Sequence, residues 1–178
     1  MKISIIMCVK NSMPYIVASI KSFEKQSYKN KELIIIRSKS EDTTDQYLNN
    51  INNKNIKIYN YEGQIYKALN YGIKKAGGNI IGILHSDDVF FDKNVLSNIT
   101  NIFKKNKKID FVYSNILYSE RNNLKNVKRI WKNIDINNKH ELPPHTGSFV
   151  HKKIYNKLKY NTKYKISSDT EFLIKIKN

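Results

Sequence analysis

The chain has 178 residues, of which 40% are hydrophobic and 26% are charged, and it carries a formal net charge of +17. This balance excludes an intrinsically disordered chain and suits one domain with one sizeable core. No apolar run approaches the ~20 residues that a membrane-spanning helix needs, so no membrane span is expected.

Lysine supplies almost all of the positive charge, because Arg37, Arg121 and Arg129 are the only arginines. Two explanations stay open: drift in a composition also rich in Asn, Ile and Tyr, or a basic surface for an anionic membrane or an acidic partner. The lysines are scattered along the chain, whereas nucleic-acid sites favour arginine and aromatics clustered on one face. We therefore expect no nucleic-acid partner, and only peripheral membrane contact through lysines.

Cys8 is the only cysteine, which excludes an intrachain disulfide and favours a reducing compartment. The chain enters an apolar strand directly after Met1, with no small-residue cleavage site of a signal peptide. The sequence therefore predicts a cytoplasmic protein that can lie on the inner face of a membrane.

The first half of the chain alternates apolar strands with helices that each present one apolar face. The predicted elements are strand Ile3–Val9, helix Pro14–Gln26, strand Glu32–Ile36, a helix over Tyr47, Leu48 and Ile51 capped by Asp42, strand Ile56–Tyr59, helix Ile65–Ala76, strand Ile80–Leu84 and helix Val95–Phe103. This order predicts an α/β fold with a largely parallel, doubly wound sheet and right-handed crossovers.

The second half is less regular. Its predicted elements are strands Phe111–Tyr118 and Val127–Lys132, a polar loop over 133–147, strand Ser148–His151, a short helix over Lys152–Leu158 and a final helix from Ser168. The sequence shows neither an internal repeat nor an interdomain linker, so we expect a single domain over residues 1–178.

The most informative residues follow the strand Ile80–Leu84, where Asp87 and Asp88 stand side by side. Ligands of open α/β sheets bind beyond the carboxyl ends of the strands, and two carboxylates there suit a divalent cation holding a diphosphate. The alternative is a polar turn leading into a helix capped by Asp92, as in many α/β proteins.

The ordered set of segments resembles family 2 glycosyltransferases of the GT-A fold. The matching segments are Ser4–Ser12, Glu32–Ile36, Ile65–Ile73, Ser86-Asp87-Asp88, Pro144–Val150 and Ile166–Asp169. The resemblance implies a three-layer α/β/α fold, with a Rossmann-like nucleotide-sugar-binding half over 1–110 and an irregular acceptor-side half over 111–178. Relatives usually continue well past the Asp169 helix, so the acceptor half is expected to be C-terminally short.

The resemblance implies an inverting transferase that moves a sugar from a nucleoside-diphosphate-sugar to a glycan or lipid-linked acceptor. It implies that Asp88 ligates Mg²⁺ or Mn²⁺ and that Asp87 contacts the ribose or the donor sugar. Val9 and Asn11 are the other nucleotide-sugar contacts expected from the matching segments, and Arg37 is a further candidate contact.

The same resemblance makes Asp169 the catalytic base and puts His145 on the acceptor side. Local sequence offers another explanation for Asp169, because Ser168-Asp169-Thr170-Glu171 is typical of a capping box at a helix N-terminus. Trp131 could stack on an acceptor sugar or belong to the core. His85 is expected at the edge of the core rather than on the metal.

The chain departs from the family pattern after the second strand. Relatives usually have an aspartate there that accepts a hydrogen bond from the donor base, whereas this chain has Arg37, which only donates. Three explanations stay open: Glu41 or Asp42 supplies the acceptor, the donor is not a uridine nucleotide, or donor binding is degraded. Arg37 and Lys67 could instead meet phosphates.

Two other classes of function stay open. One is a catalytically degraded glycosyltransferase-like protein that binds a nucleotide or a partner. The other is a nucleotidyltransferase, which shares an α/β half and an acidic metal site but releases pyrophosphate.

Overall fold

The computed structural model describes residues 1–132, 135, 138 and 141–177. Six strands form the main sheet in the order β3-β2-β1-β4-β8-β5. These strands are β1 (Ile3–Val9), β2 (Lys31–Arg37), β3 (Ile56–Asn60), β4 (Ile80–Ile83), β5 (Phe111–Tyr113) and β8 (Ser148–His151). The first four strands pair in parallel, and β8 lies antiparallel between β4 and β5.

Two further strands, β6 (Ile116–Glu120) and β7 (Asn123–Trp131), form an antiparallel hairpin outside the main sheet. The helices are α1 (Tyr15–Glu24), α2 (Thr44–Asn49), α3 (Ile65–Lys75), α4 (Val95–Lys105), α5 (Lys152–Tyr155) and α6 (Ser168–Lys177). Within the described ranges, every helix is too short or too polar to cross a bilayer.

Side chains of β1 alternate between two apolar layers, as the period of a strand requires. Ile3, Ile5 and Met7 are buried in a cluster with residues of α1 and α4. Ile6 is buried on the opposite face, in a cluster with residues of α3 and α6. Helices therefore cover both faces of a mixed, mostly parallel sheet, which confirms the predicted three-layer α/β/α fold.

A buried glutamate in β2 binds groups at the amino-terminal ends of the neighbouring strands. The side chain of Glu32 in β2 is 1% exposed. Its carboxylate accepts hydrogen bonds from Lys2 Nζ at 2.6 Å, Ser4 Oγ at 2.7 Å, Gly77 N at 2.7 Å and Lys57 Nζ at 3.0 Å. These bonds outweigh the effect of burial, which alone would raise its pKa, and lower the pKa of Glu32 to about 2.

One predicted strand was wrong. The run Phe111–Tyr118 is two strands, β5 in the main sheet and β6 in the hairpin, separated at Ser114 and Asn115. Phe111–Tyr113 pair with β8 and Ile116–Glu120 pair with β7, and Ser114 N at the break donates to the carbonyl of Gly147 at 2.8 Å. Of the predicted loop 133–147, residues 133, 134, 136, 137, 139 and 140 lie outside the described residues.

Candidate functional site

A cleft of about 1900 Å³ opens between the carboxyl end of β4, the hairpin and the start of α6. Asp87, Asp88, His145 and Asp169 all line it. The sequence separates these residues by up to 82 positions, and the sheet brings them to one surface because β4 and β8 are neighbours. Four of the predicted site residues therefore share one cleft.

Asp87 and Asp88 follow β4 in the turn that the sequence predicted. Asp88 Oδ2 lies 3.7 Å from His85 Nδ1, and Asp87 Oδ2 lies 3.6 Å from a guanidinium nitrogen of Arg121 at the hairpin turn. Burial raises the pKa of Asp88 above its ordinary value; His85 acts against this rise and the charge of Asp87 adds to it. His85 was expected at the edge of the core, but its side chain is 56% exposed and lines the cleft.

The donor set at this turn fits a hard divalent cation that is shared with a ligand. Asp87 and Asp88 offer carboxylate oxygens, the preferred donors for Mg²⁺. Among the described residues no cluster of three or more His, Cys, Asp or Glu side chains could enclose a metal. A cation here would therefore take its remaining ligands from phosphate and water, as Mg²⁺ sites at substrate phosphates do.

Asp169 stands in the first turn of α6, and a tyrosine from α3 fixes its carboxylate. Tyr66 Oη donates to Asp169 Oδ1 at 2.8 Å, and Tyr66 is 8% exposed. The predicted capping box does not form, because α6 already begins at Ser168. Ser168 Oγ has no hydrogen-bond partner in the described part of the chain, and the Glu171 carboxylate binds Lys175 at 2.8 Å instead.

His145 lies on the wall of the cleft against a second tyrosine. Its Nε2 is 2.7 Å from Tyr160 Oη. Burial lowers the pKa of His145 to about 4, although Asp169 acts in the opposite direction. The imidazole is therefore neutral at physiological pH.

The other predicted contacts lie beside the cleft, at the ends of β1 and β2, and are not among its described lining residues. The Val9 carbonyl accepts from Ser38 N at 3.0 Å. Asn11, with a φ of +48°, accepts from Glu41 N at 2.8 Å through its side chain. Arg37 donates to Asn49 Oδ1 at 2.7 Å and to Asn60 Oδ1 at 2.9 Å, beside a separate pocket of about 290 Å³.

Asp42 was one of two residues considered as the acceptor of a hydrogen bond from the donor base, and its carboxylate already binds backbone groups of the protein. Its carboxylate accepts from Met13 N at 3.1 Å and from Thr44 N at 2.9 Å, which joins the turns after β1 and β2. The hydrogen bond with the Thr44 side chain does most to lower the pKa of Asp42, and these backbone bonds add to it, so the carboxylate stays ionised near neutral pH.

Tyr66 and Tyr160 were given no role from the sequence. The two rings stack with centroids 5.9 Å apart, and each ring carries its hydroxyl to a candidate site residue. Tyr66 shares a helical face with Leu69 and Ile73, so its burial could have been predicted from the spacing. Tyr160 belongs to an irregular segment, and no local pattern signals its position.

The fold is of the GT-A type, and an acidic turn follows the fourth strand of its mostly parallel sheet. The S. aureus TarS structure of residues 1–349 in complex with UDP superimposes with a TM-score of 0.80 at 21% identity, over 97% of this chain and 54% of that one. Mannosyltransferase PcManGT from Pyrobaculum calidifontis, in complex with GDP-Man and Mn²⁺, matches with a TM-score of 0.70 at 14% identity, over 94% of this chain and 49% of that one.

The sequence comparisons give the family. The model of glycosyl transferase family 2 matches residues 4–168, so the chain belongs to that family. An E. coli relative, the UDP-Glc:alpha-D-GlcNAc-diphosphoundecaprenol beta-1,3-glucosyltransferase WfgD, is 34% identical over 115 residues. That match covers 64% of this chain and 45% of WfgD, so the chain corresponds to part of the length of this relative.

Proposed function

We propose that this chain acts in polysaccharide biosynthesis as an inverting glycosyltransferase, moving a sugar from a nucleoside-diphosphate-sugar to a hydroxyl of a glycan or lipid-linked acceptor. The observation that carries the proposal is that the carboxylates of Asp87, Asp88 and Asp169 line one cleft. Family membership and the donors named for its relatives support the same reaction class.

The donor half of the site is Asp87 and Asp88. Asp88 would hold Mg²⁺ or Mn²⁺ together with the donor diphosphate, and Asp87 would contact the ribose or the donor sugar. The cation, when bound, offsets the negative charge that builds on the departing nucleoside diphosphate. PcManGT with its Mn²⁺ supports a metal of this kind.

Asp169 is the proposed base of the acceptor half. It takes the proton of an acceptor hydroxyl as that oxygen forms a bond to the anomeric carbon. The bond from the anomeric carbon to the diphosphate oxygen breaks on the opposite face, and the nucleoside diphosphate leaves. Tyr66 supports this role, because its hydrogen bond holds one oxygen of Asp169 in a fixed orientation.

Whether Arg37 contacts the nucleotide is a separate question, tested by reversing its charge. We propose that Val9, Asn11 and Arg37 contact the nucleotide from the ends of β1 and β2. UDP in the TarS complex and GDP-Man in the PcManGT complex give two donor classes to compare. Charge reversal, Arg37→Glu, should weaken binding of either donor about tenfold if the guanidinium meets a phosphate. Unchanged affinity, measured by calorimetry, would remove Arg37 from the nucleotide site.

A thermal-shift panel tests the donor half directly. UDP, GDP, UDP-GlcNAc, UDP-glucose and GDP-mannose are each added with Mn²⁺, with Mg²⁺ and with a chelator. A ligand that binds only the folded chain raises its Tm by mass action. We expect a metal-dependent rise in Tm for at least one nucleotide-sugar, and we expect Asp88→Asn to lose it. Glu171→Gln is the control, because it makes the same carboxyl-to-amide change at a residue of α6 that is paired with Lys175, and it should keep the rise.

The same panel separates the two rival functions. No shift with any nucleotide-sugar would favour the non-catalytic binding protein. Release of pyrophosphate from a nucleoside triphosphate, rather than of nucleoside diphosphate from a nucleotide-sugar, would favour the nucleotidyltransferase. Hydrolysis of a nucleotide-sugar without acceptor, dependent on metal and on Asp169, would favour the glycosyltransferase.

Peripheral contact with an anionic membrane is proposed for the hairpin. The apolar side chains of Leu124 and Ile130 in β7 are exposed, and the same strand carries the exposed basic residues Lys125 and Arg129. Apolar residues mixed with cations are typical of surfaces that lie on anionic lipid. Such a contact would hold the cleft, whose wall the hairpin forms, close to a lipid-linked acceptor.

Vesicle co-sedimentation tests the membrane contact. Vesicles of phosphatidylcholine with phosphatidylglycerol should bind the chain, and vesicles of phosphatidylcholine alone should not. The double change Leu124→Ser and Ile130→Ser should reduce binding severalfold, whereas Ile174→Ser on α6, also an exposed apolar residue, should not. Equal binding by both variants would exclude the hairpin as the contact.

A further inference from the structure

Two buried tyrosine hydroxyls stand behind His145. Tyr155 and Tyr160 are 5% and 2% exposed. Their hydroxyl oxygens are 3.5 Å apart, and Tyr160 Oη is 2.7 Å from His145 Nε2. Neither hydroxyl has a further hydrogen bond within the described ranges, so the three groups form a short chain that ends at the cleft.

The hydrogens of this chain can be arranged in two ways. If Tyr160 donates to His145 Nε2, then Tyr155 can donate to Tyr160 Oη, and both buried hydroxyl hydrogens have acceptors. If His145 Nε2 carries the proton and donates to Tyr160, the two hydroxyls can share only the one contact of 3.5 Å, and one of their two hydrogens is left without an acceptor. An unsatisfied buried donor is costly enough to shift the ratio of the two arrangements by about tenfold.

The geometry points to Tyr160 as a positioning residue that holds His145 in the neutral Nδ1–H tautomer, so that His145 presents a hydrogen-bond donor to the cleft. A neutral imidazole has one donor and one acceptor nitrogen, and occupation of Nε2 by a donor leaves the proton on Nδ1. The role that follows, which rests on the proposed function, is donation to an oxygen of the bound nucleotide-sugar.

The surroundings of the ring agree with that role. His145 has its ring centroid 6.3 Å from that of His85, which contacts Asp88, and it also interacts electrostatically with Asp169. It therefore lies between the proposed donor and acceptor halves. Burial lowers the pKa of His145 and raises the pKa of Tyr160 well above its usual value, so the phenol keeps its proton and the imidazole stays neutral near pH 7.

Nitrogen NMR of the ligand-free chain tests the tautomer. At about pH 7 the His145 ring, assigned by its loss in His145→Gln, should show a protonated Nδ1 and an unprotonated Nε2. His151 gives an internal contrast, because its Nδ1 accepts from Lys153 N at 3.3 Å and its proton should reside on Nε2. A protonated Nε2 on His145 in the wild-type chain would overturn the inference.

Two matched tyrosine changes test whether Tyr160 fixes the tautomer of His145. Tyr160→Phe removes the hydroxyl that binds His145, so the fraction of Nδ1–H tautomer should fall severalfold. Tyr155→Phe removes the neighbouring buried hydroxyl but leaves the bond of 2.7 Å, so the Nδ1–H tautomer should persist. The same tautomer in Tyr160→Phe would show that Tyr160 does not fix it, and the wild-type spectrum decides the tautomer even if a variant fails to fold.

Calorimetry with UDP-GlcNAc and with GDP-mannose, each with Mn²⁺, tests the donor role. Removal of the N–H in His145→Leu should weaken binding about tenfold, and His145→Asn, which keeps an amide donor near the position of Nδ1, should recover part of the loss. Equal affinities would overturn the donor role. Binding of neither probe by the wild-type chain would overturn that role together with the proposed function, whereas the tautomer result would stand.

Discussion

Replacing Glu32 with glutamine keeps the shape of a buried side chain and removes its charge. In the folded chain four donors surround this carboxylate, two of them lysines, and its pKa falls from 4.5 to about 2. At ~1.4 kcal/mol per pH unit, that difference corresponds to about 3 kcal/mol of folding free energy at neutral pH. We therefore expect Glu32→Gln to lose about 2–3 kcal/mol, since the amide oxygen keeps part of the bonding.

The contribution of Glu32 to folding stability should decrease as the pH falls. Because the folded pKa of Glu32 lies below the unfolded value, its contribution is fully present above about pH 5 and is lost as pH falls from 4.5 towards 2. Urea unfolding of both proteins at several pH values measures this directly. The difference between wild type and Glu32→Gln should be largest near pH 7 and should shrink towards about pH 3.

An exposed ion pair provides the control. Glu120 binds Lys128 at 2.7 Å on the hairpin, with both side chains about half exposed. Surface pairs of this kind contribute less than about 1 kcal/mol, so Glu120→Gln should change unfolding only slightly. A loss below about 1 kcal/mol in Glu32→Gln, or a difference that does not change between pH 7 and pH 3, would refute the reasoning.

Two further predictions concern packing and the candidate base. Gly78→Ala should lower stability by about 1–3 kcal/mol in thermal unfolding, because its Cβ would lie 2.8 Å from the backbone nitrogen of Ser4; an unchanged Tm would contradict the close approach. Tyr66→Phe removes only the hydroxyl bound to Asp169, so kcat should fall about tenfold while the donor KM stays the same. Tyr71→Phe on the same helix, away from the cleft, should leave both constants unchanged, and an equal fall in the two variants would exclude a specific role for Tyr66.

Much of the regular half could be predicted because its local and tertiary preferences agree. Strands such as Ile3–Val9, which is apolar except for Ser4, and Ile80–Ile83 are nearly continuous apolar runs between polar residues, as is typical of strands covered on both faces. The run Phe111–Tyr118 is also mostly apolar, yet it divides between two sheets at its polar residues Ser114 and Asn115. Its first part pairs with β8 and its second with β7, and the periodicity of the run does not reveal which strand each part will pair with.

The candidate site, too, has residues that could be predicted from the sequence and contacts that could not. Asp87 and Asp88 could be predicted because a strand end fixes where the next residues lie. Asp169 and His145 were predicted through the order of family-like segments, and both line the cleft with the acidic turn. The contacts that Tyr66 and Tyr160 make with them could not be predicted, since the Tyr66–Asp169 bond spans 103 positions and the Tyr160 ring is buried by contacts from α3, α5 and α6.

Sugar transfer by the wild-type chain and by Asp169→Asn tests the central claim most directly. With a nucleotide-sugar identified by the thermal-shift panel and an acceptor from a set of glycans and polyprenyl-linked sugars, product formation and anomeric configuration are measured by mass spectrometry and NMR. The account predicts an inverted product from the wild type, loss of transfer in Asp169→Asn of at least about a thousandfold, and unchanged nucleotide affinity in that variant. Retained transfer by Asp169→Asn, or a product with retained configuration, would contradict it.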